Sequence, residues 1–128
     1  MIVHNVKDAK EHDVKEAYGS DADGVAIRWI SDRRTGSEDY LHNFALRYFT
    51  IRPGGYLAPH KHPWEQEIVV TKGRGTVTTK ENETEVSVGD AVYFASDELH
   101  GFKNTGGETF EFYCIIGCLE GGENCIGL

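Results

Sequence analysis

The chain of 128 residues is 39% hydrophobic and 27% charged, which is typical of one globular domain with a single core. Its 21 acidic residues outnumber its 13 basic ones and give a formal net charge of −8, so nucleic acid and anionic membranes are poor partners. Because no apolar run approaches the roughly 18 residues of a membrane span, and because residues 1–5 lack the pattern of a secretory signal, we expect a cytoplasmic protein.

Residues 1–42 form a polar and weakly patterned N-terminal part. The run from Lys7 to Tyr18 is compatible with a short helix, although its apolar positions are sparse. Ser20 to Gly24 has the composition of a turn, Val25 to Ile30 is predicted as a strand, and residues 31–39 are predicted as a loop. We therefore expect residues 1–42 to add N-terminal strands or an arm to the same domain.

From residue 43 onward, short runs of β-forming residues alternate with turn residues. The predicted strands are Phe44–Ile51, Glu67–Thr71, Thr76–Thr79, Thr84–Val88, Ala91–Ala95 and Thr109–Gly117. Turns are predicted between them, including one at Pro53-Gly54-Gly55. This spacing is typical of an antiparallel sandwich or barrel. We predict an all-β single domain, with a barrel over residues 43–117 and a C-terminal tail over residues 118–128.

The cysteines Cys114, Cys118 and Cys125 all lie in the last fifteen residues. An odd number at one end of the chain is not typical of a disulfide framework, and the C-x3-C-x6-C spacing fits no common zinc pattern. Since free cysteine commonly packs as a small hydrophobic residue, we expect one reduced packing thiol and two tail thiols.

A pair of histidines, His60 and His62, lies just before an apolar predicted strand. Side chains alternate between the two faces of an extended chain, so both rings point the same way, about 6 to 7 Å apart along the strand. Two imidazoles in this arrangement can bind one divalent cation. Gln66 shares their face, whereas Glu65 and Glu67 point to the other one.

Two spaced motifs resemble those of the cupin superfamily, which are written G-x5-H-x-H-x3-4-E-x6-G and G-x5-P-x-G-x2-H-x3-N. Every spacing of both motifs holds in this chain. The corresponding residues are Gly54, His60, His62, Gln66 and Gly73 in the first motif, and Gly89, Ala95, Asp97, His100 and Asn104 in the second. The resemblance is close over residues 54–104 and looser over residues 43–117.

Three positions differ from the family pattern. Gln66 stands where the family has an acidic ligand, and Ala95 and Asp97 replace the proline and glycine of the second motif. A carboxamide oxygen can bind a cation without adding negative charge, so a bound M²⁺ would keep its full positive field. This substitution predicts a stronger Lewis acid and a preference for M²⁺ over M³⁺.

The string from His60 to Ile68 resembles two groups of small single-domain cupins. One group binds manganese or iron through four histidines, and some of its members cleave carbon–carbon bonds with oxygen or peroxide; Trp64 and Glu67 favour this group. The other group, of the pectin-degradation type, holds a divalent ion with three histidines and one glutamine. It linearises unsaturated uronates without redox chemistry, and Gln66 favours it.

The resemblance implies a double-stranded β-helix, the cupin jelly-roll barrel, with one divalent transition-metal ion bound by His60, His62, Gln66 and His100. Our leading hypothesis is an enzyme with manganese or iron and a dioxygenase-like reaction on a small oxygen-rich substrate. The alternatives are a nickel or zinc enzyme that isomerises or opens uronates, and a non-catalytic module that binds a metal or small molecule as a sensor. The resemblance also implies a homodimer formed by exchange of N-terminal strands.

Further candidates for the substrate pocket come from strand alternation. Phe110, Phe112, Cys114 and Ile116 share one face of the last predicted strand, and we expect this face to point into the barrel. Phe112 and Cys114 would then lie near the cavity, where plain packing is the simpler role for the thiol. Arg47 would bind a substrate carboxylate if it points inward, or would be a solvated strand charge if it points outward. The pattern leaves both orientations open.

Overall fold

The computed structural model describes residues 1–36 and 42–128, and β-strands dominate it. The strands are β1 (Glu11–Asp13), β2 (Ala22–Ser31), β3 (Phe44–His60), β4 (Gln66–Lys72), β5 (Arg74–Thr79), β6 (Glu83–Ser87), β7 (Ala91–Phe94), β8 (His100–Lys103) and β9 (Phe110–Gly117). The helical segments are α1 (Val14–Tyr18) and two 3-10 turns, Val6–Asp8 and Glu123–Cys125. In the part of the chain that the structure describes, no helix has the length and apolar character needed to cross a membrane.

The helix predicted over Lys7–Tyr18 is much shorter in the structure, where α1 holds only its last five residues. The Asp13 side chain accepts a hydrogen bond from the Glu16 backbone N–H at 3.0 Å and so begins the helix at this point. Gly19, with a φ of 68°, ends it. Residues Glu11 to Asp13 pair with β2 instead. Of the predicted loop over residues 31–39, the last three lie outside the described residues.

The turn predicted at Pro53-Gly54-Gly55 is wrong, because β3 continues through these residues as one 17-residue strand. Gly54 has a φ of 79°, and a Cβ on Gly55 would lie 2.8 Å from the Asp23 carbonyl oxygen. The two glycines therefore bend the strand and let β2 approach closely. The predicted turn before Val25 is likewise largely part of β2, with a register shift next to Gly24.

The bend allows β3 to take part in both layers of the barrel. Its first part pairs with β9, from Phe44 opposite Gly117 to Ile51 opposite Phe110, and its end pairs with β8. One layer continues from β9 to β4 and β7, and the other from β8 to β5 and β6. On the opposite edge of β3, β2 and then β1 extend the sheet within the same chain. The predicted all-β jelly-roll fold is confirmed.

The core lies between the two layers and is rich in aromatic rings. Phe102 of β8 packs against Phe94 of β7 and Phe112 of β9, with ring centres 5.9 and 4.9 Å apart. Along β9 the side chains alternate as predicted, and Phe110, Phe112, Cys114 and Ile116 are all buried. The two layers therefore enclose the face of β9 that the sequence assigns to the interior.

The expectation of two tail thiols is wrong, because Cys118 and Cys125 form a disulfide. The residues between them reverse direction at Gly121 and Gly122, which both have positive φ, and this brings the two Cα atoms to 5.5 Å. An odd number of cysteines does not exclude one disulfide. The structure buries Cys114 as a free thiol and pairs the other two cysteines.

Candidate metal centre

Three histidines from the two motifs converge at one end of the barrel. His60 is the last residue of β3, His62 follows in the next loop, and His100 begins β8 directly opposite His60. Their available ligand atoms all lie within 4.8 Å of one another. The strand pairing is tight here, because a Cβ on Gly101 would lie 2.8 Å from the Pro59 backbone nitrogen. The fold thus brings together residues 40 positions apart.

A backbone carbonyl orients each of the three imidazole rings. The Nδ1 atoms lie 3.0 Å from the Ala58 oxygen for His60, 2.8 Å from the Trp64 oxygen for His62, and 2.7 Å from the Glu98 oxygen for His100. Since a carbonyl oxygen only accepts, Nδ1 carries the proton in each ring, and Nε2 of the neutral ring presents a lone pair. This arrangement is the one that metal-binding histidines use.

Gln66, the first residue of β4, is buried and faces the same cluster. Its Oε1 lies 3.0 Å from Nε2 of His62. Two lone-pair atoms at this distance repel each other unless a proton or a cation lies beside them. Glu65 and Glu67 are exposed on the opposite face, as the alternation predicts, and Glu65 accepts a hydrogen bond from the Tyr93 hydroxyl at 2.6 Å.

Burial favours the neutral form of two imidazoles of the cluster, those of His62 and His100. His100 is fully buried, and its Nε2 makes no hydrogen bond. Burial lowers the pKa of His100 to about 4, and the positive fields of His60, His62 and Arg47 act in the same direction. Burial also lowers the pKa of His62. Three convergent imidazoles, an unpartnered Nε2 and an amide oxygen are donors that a divalent transition-metal ion prefers, so these residues fit such an ion.

The loop before β8 fixes His62 and His100 with respect to each other. The backbone N–H of Asp97 donates to the His62 carbonyl oxygen at 2.8 Å. Asp97 has a φ of 62°, which explains why the family has glycine at this position and why a short aspartate can replace it. The N–H of Ala95, which proline would lack, donates to the Glu98 side chain. Both departures from the motif are therefore compatible with the loop.

A cavity of about 510 Å³ opens above the cluster, and His60, His62 and Gln66 lie in its wall. The Trp64 ring stacks on His62, with centres 4.3 Å apart and an interplanar angle of 6°. The cavity wall also includes Tyr18, Asp21, Trp29, Arg47, Phe49, Lys61, Glu123, Asn124 and Ile126. His100 is not on the cavity surface, since it lies one layer deeper and stacks on Phe94 at 4.4 Å.

The three further pocket candidates have different positions. Arg47 points inward and lines the cavity, which resolves the two orientations that the sequence left open. Its Nη2 donates to Sγ of Cys114 at 3.0 Å, so this thiol lies behind the arginine. Phe112 is fully buried and stacks on Phe49 at 5.3 Å, without lining the cavity itself. Phe112 and Cys114 thus support the wall that Arg47 and Phe49 form.

Several cavity residues come from segments that sequence reasoning did not assign to the site. Trp29 lies on β2, while Glu123 and Ile126 belong to the C-terminal tail. The tail is held in place because the Arg33 N–H donates to the Cys125 carbonyl oxygen at 2.9 Å. No spacing in the sequence relates these segments to the histidines; only the pairing of β2 with β3, which places Trp29 opposite Arg47, could have indicated it.

Comparisons with known proteins agree with this geometry. The sequence model of a family described as "Cupin domain" matches residues 47–116. The 1-methylthio-D-xylulose 5-phosphate methylsulfurylase of Rhodospirillum rubrum is 28% identical over 71 residues, which are 56% of this chain and 46% of that protein. The chain therefore spans about half the length of this curated relative.

Two solved structures illustrate the similarity of the whole fold. The polyketide cyclase RemF from Streptomyces resistomycificus has a TM-score of 0.80 and 29% identity, over 93% of this chain and 80% of that one. A predicted oxalate decarboxylase from Thermotoga maritima has a TM-score of 0.76 and 18% identity, over 92% of this chain and 100% of that one. At the latter identity the similarity concerns the fold alone.

Proposed function

The chain belongs to the cupin domain family, and from this premise we propose that it is a metal-dependent enzyme whose ion is bound by His60, His62, Gln66 and His100. The reaction proposed is a cyclisation or isomerisation of a small oxygen-rich molecule without a change in oxidation state. The observation that supports it is that none of these four donor side chains carries a negative charge. A similarity to a polyketide cyclase at 29% identity agrees with this class of reaction.

When bound, a divalent ion would supply a Lewis acid for a carbonyl or hydroxyl oxygen of the substrate. Three neutral imidazoles and an amide do not offset its charge, whereas a carboxylate ligand would. Nickel or zinc suits this set of nitrogen and amide donors, and manganese or iron is the alternative. The donors therefore favour polarisation of an oxygen atom over oxidation of the ion.

The residues around the cluster position the substrate and exclude water. Trp64 holds the His62 ring by stacking on it. Phe49 and Trp29 contribute apolar surface to the cavity wall. Among the described lining residues, Asp21 and Glu123 are the carboxylates, and we propose them as candidates for accepting a proton from the substrate.

The second candidate function is the oxygen- or peroxide-using dioxygenase reaction of the manganese and iron cupins. Trp64, which the sequence string shares with that group, contacts a ligand histidine directly. Oxygen uptake separates the two functions. Consumption of oxygen with an enol or catechol, by iron- or manganese-loaded protein, would favour the dioxygenase, and turnover under nitrogen would favour the non-redox reaction.

Metal analysis of protein purified without added metal tests the proposal first. We expect about one divalent ion per chain in the wild type. His60→Gln, which removes one donor, is expected to weaken binding about ten-fold or more. His4→Gln changes an exposed histidine outside the cluster and is the matched control.

A wild type that binds no divalent metal, or equal occupancy in wild type and His60→Gln, would contradict the proposed site. Tight binding of one ion without turnover of any carbonyl or enol substrate would instead favour the non-catalytic sensor module.

A further inference from the structure

Arg47 places a guanidinium group in the wall of the cavity. On β3 it lies between Trp29 of β2 and Cys114 of β9. Its Cζ atom is 5.3 Å from the centre of the Trp29 ring and 5.2 Å from that of Phe49. Aromatic faces attract a cation at these distances, so the two rings fix the position of the charge.

This charge has no anionic partner among the residues that the structure describes. The ion pairs there do not include Arg47, and the carboxylates of Asp21 and Glu123 in the same cavity wall form no ion pair with it. Its Nε is buried and makes no hydrogen bond. The side chain as a whole is partly buried, and a partly desolvated cation without a counterion attracts an anion from outside.

The sulfur beneath Arg47 does not supply the missing charge. Burial raises the pKa of the Cys114 thiol, and the opposing field of Arg47 does not reverse this. Cys114 is therefore a neutral thiol and only a weak acceptor for Nη2, 3.0 Å away. The contact orients the guanidinium group without neutralising it.

We propose that Arg47 binds the carboxylate of a flat, conjugated substrate in this cavity. The inference rests on the proposed function, because it names the substrate class of the same site. The planar fork of an arginine matches the two oxygens of a carboxylate. Trp29, which is partly buried and lines the same cavity, offers apolar surface for a flat conjugated skeleton beside it.

Binding of naphthoate to the metal-free protein tests this proposal, because no ion can then attract the carboxylate. Calorimetric titration would compare naphthoate with naphthamide, which has the same shape and no charge. We expect naphthoate to bind about ten-fold or more tightly. Both tryptophans of the chain line the cavity, so their emission should change with the same affinity. Equal affinities, or no measurable binding of either probe, would overturn the proposal.

Substitutions of Arg47 identify the group responsible. Arg47→Gln should abolish the preference for naphthoate, and Arg47→Lys, which keeps the charge without the fork, should reduce it several-fold. Arg74→Gln is the matched control, since Arg74 is an exposed arginine that pairs with Glu85 on another part of the surface. Thermal melting checks that each variant folds. If Arg47→Gln does not fold, Arg47→Lys serves as the test.

A full preference for naphthoate in either folded Arg47 variant, or an equal loss in Arg74→Gln, would contradict the proposal. Because the titration contains no metal, its failure leaves the metal centre intact as a proposal. Loss of metal binding in His60→Gln, conversely, has no bearing on the naphthoate result.

Discussion

Gln66 distinguishes the proposed metal centre from one with an acidic ligand. The side chain is 5% exposed, and its oxygen lies 3.0 Å from Nε2 of His62. A carboxylate at the same place would offset part of the ion's charge, but it would be costly in the metal-free protein because it would lose water on burial. Compared with a carboxylate, the amide would therefore bind the ion less tightly and leave a stronger positive field at the substrate.

The first prediction concerns Gln66→Glu. We expect its affinity for a divalent ion to rise about ten-fold, because a negative ligand attracts the ion more strongly than an amide. Its metal-free form should melt at a lower temperature than the wild type. Competition with a chelator measures the affinity, and Glu67→Gln, on the exposed face of the same strand, is the control. An affinity unchanged in Gln66→Glu would mean that residue 66 does not bind the ion.

The sequence predicted the candidate ligand residues more reliably than the cavity residues around them. Strand alternation placed His60, His62 and Gln66 on one side, and the structure brings their side chains together. Strand alternation could not assign Arg47 to one face for two reasons. Large apolar residues occupy both faces of its strand, and the partner strand that determines its environment is distant in sequence. Contact with Trp29 depends on the pairing of β2 with β3, which no local pattern specifies.

At the level of elements, the C-terminal tail is the largest departure from expectation. The disulfide joins Cys118, next to the end of β9, to Cys125, which is fully buried. Between them Asn124 accepts from the Leu119 N–H and donates to the Gly117 carbonyl. The tail is thus a closed loop that contributes to the cavity wall. Disulfides persist mainly in oxidising compartments, and the cytoplasmic location stays a prediction.

The second prediction concerns this disulfide. Oxidised protein, unfolded without reductant, should show one free thiol of the three cysteines. Reduction should lower the free energy of unfolding by about 2 kcal/mol, since a short loop loses its restraint in the unfolded chain. Cys114→Ala keeps the disulfide and should show the same response to reductant, whereas Cys118→Ser should show none. Three free thiols before reduction would refute the pairing.

Short or bent elements were the ones that the sequence missed. β8 has only four residues, His100-Gly101-Phe102-Lys103, and its glycine and lysine hide the β pattern. The close approach of Pro59 explains that glycine. Proline and glycine are common both in turns and in bent strands, which is why Pro53-Gly54-Gly55 predicts a turn. In the structure these residues form a bend within β3, and the N–H of Asn104 donates to the Gly55 carbonyl at 2.9 Å.

For the whole molecule, the proposed metal centre would join parts of the chain that belong to different layers of the barrel. His60 ends β3, Gln66 begins β4, and His100 begins β8. β3 and β8 pair with each other, while β4 belongs to the other layer, beside β9 and β7. One ion bound by all of them would link the two layers at the mouth of the barrel. The homodimer implied by the resemblance stays a prediction, and β2 pairs with β3 of its own chain.

The last prediction is that metal removal destabilises the whole domain. An ion that binds the folded state alone adds about 2.7 kcal/mol at a free concentration one hundred times its dissociation constant. For a domain of this size, a chelator should therefore lower Tm by on the order of 10 °C. His60→Gln should lose most of this response, and His4→Gln should keep it. An ion held by residues of both layers is released when the layers separate, so its binding has to raise Tm. If protein that is shown to bind the ion melts at the same temperature with metal and with chelator, the ion does not join the layers.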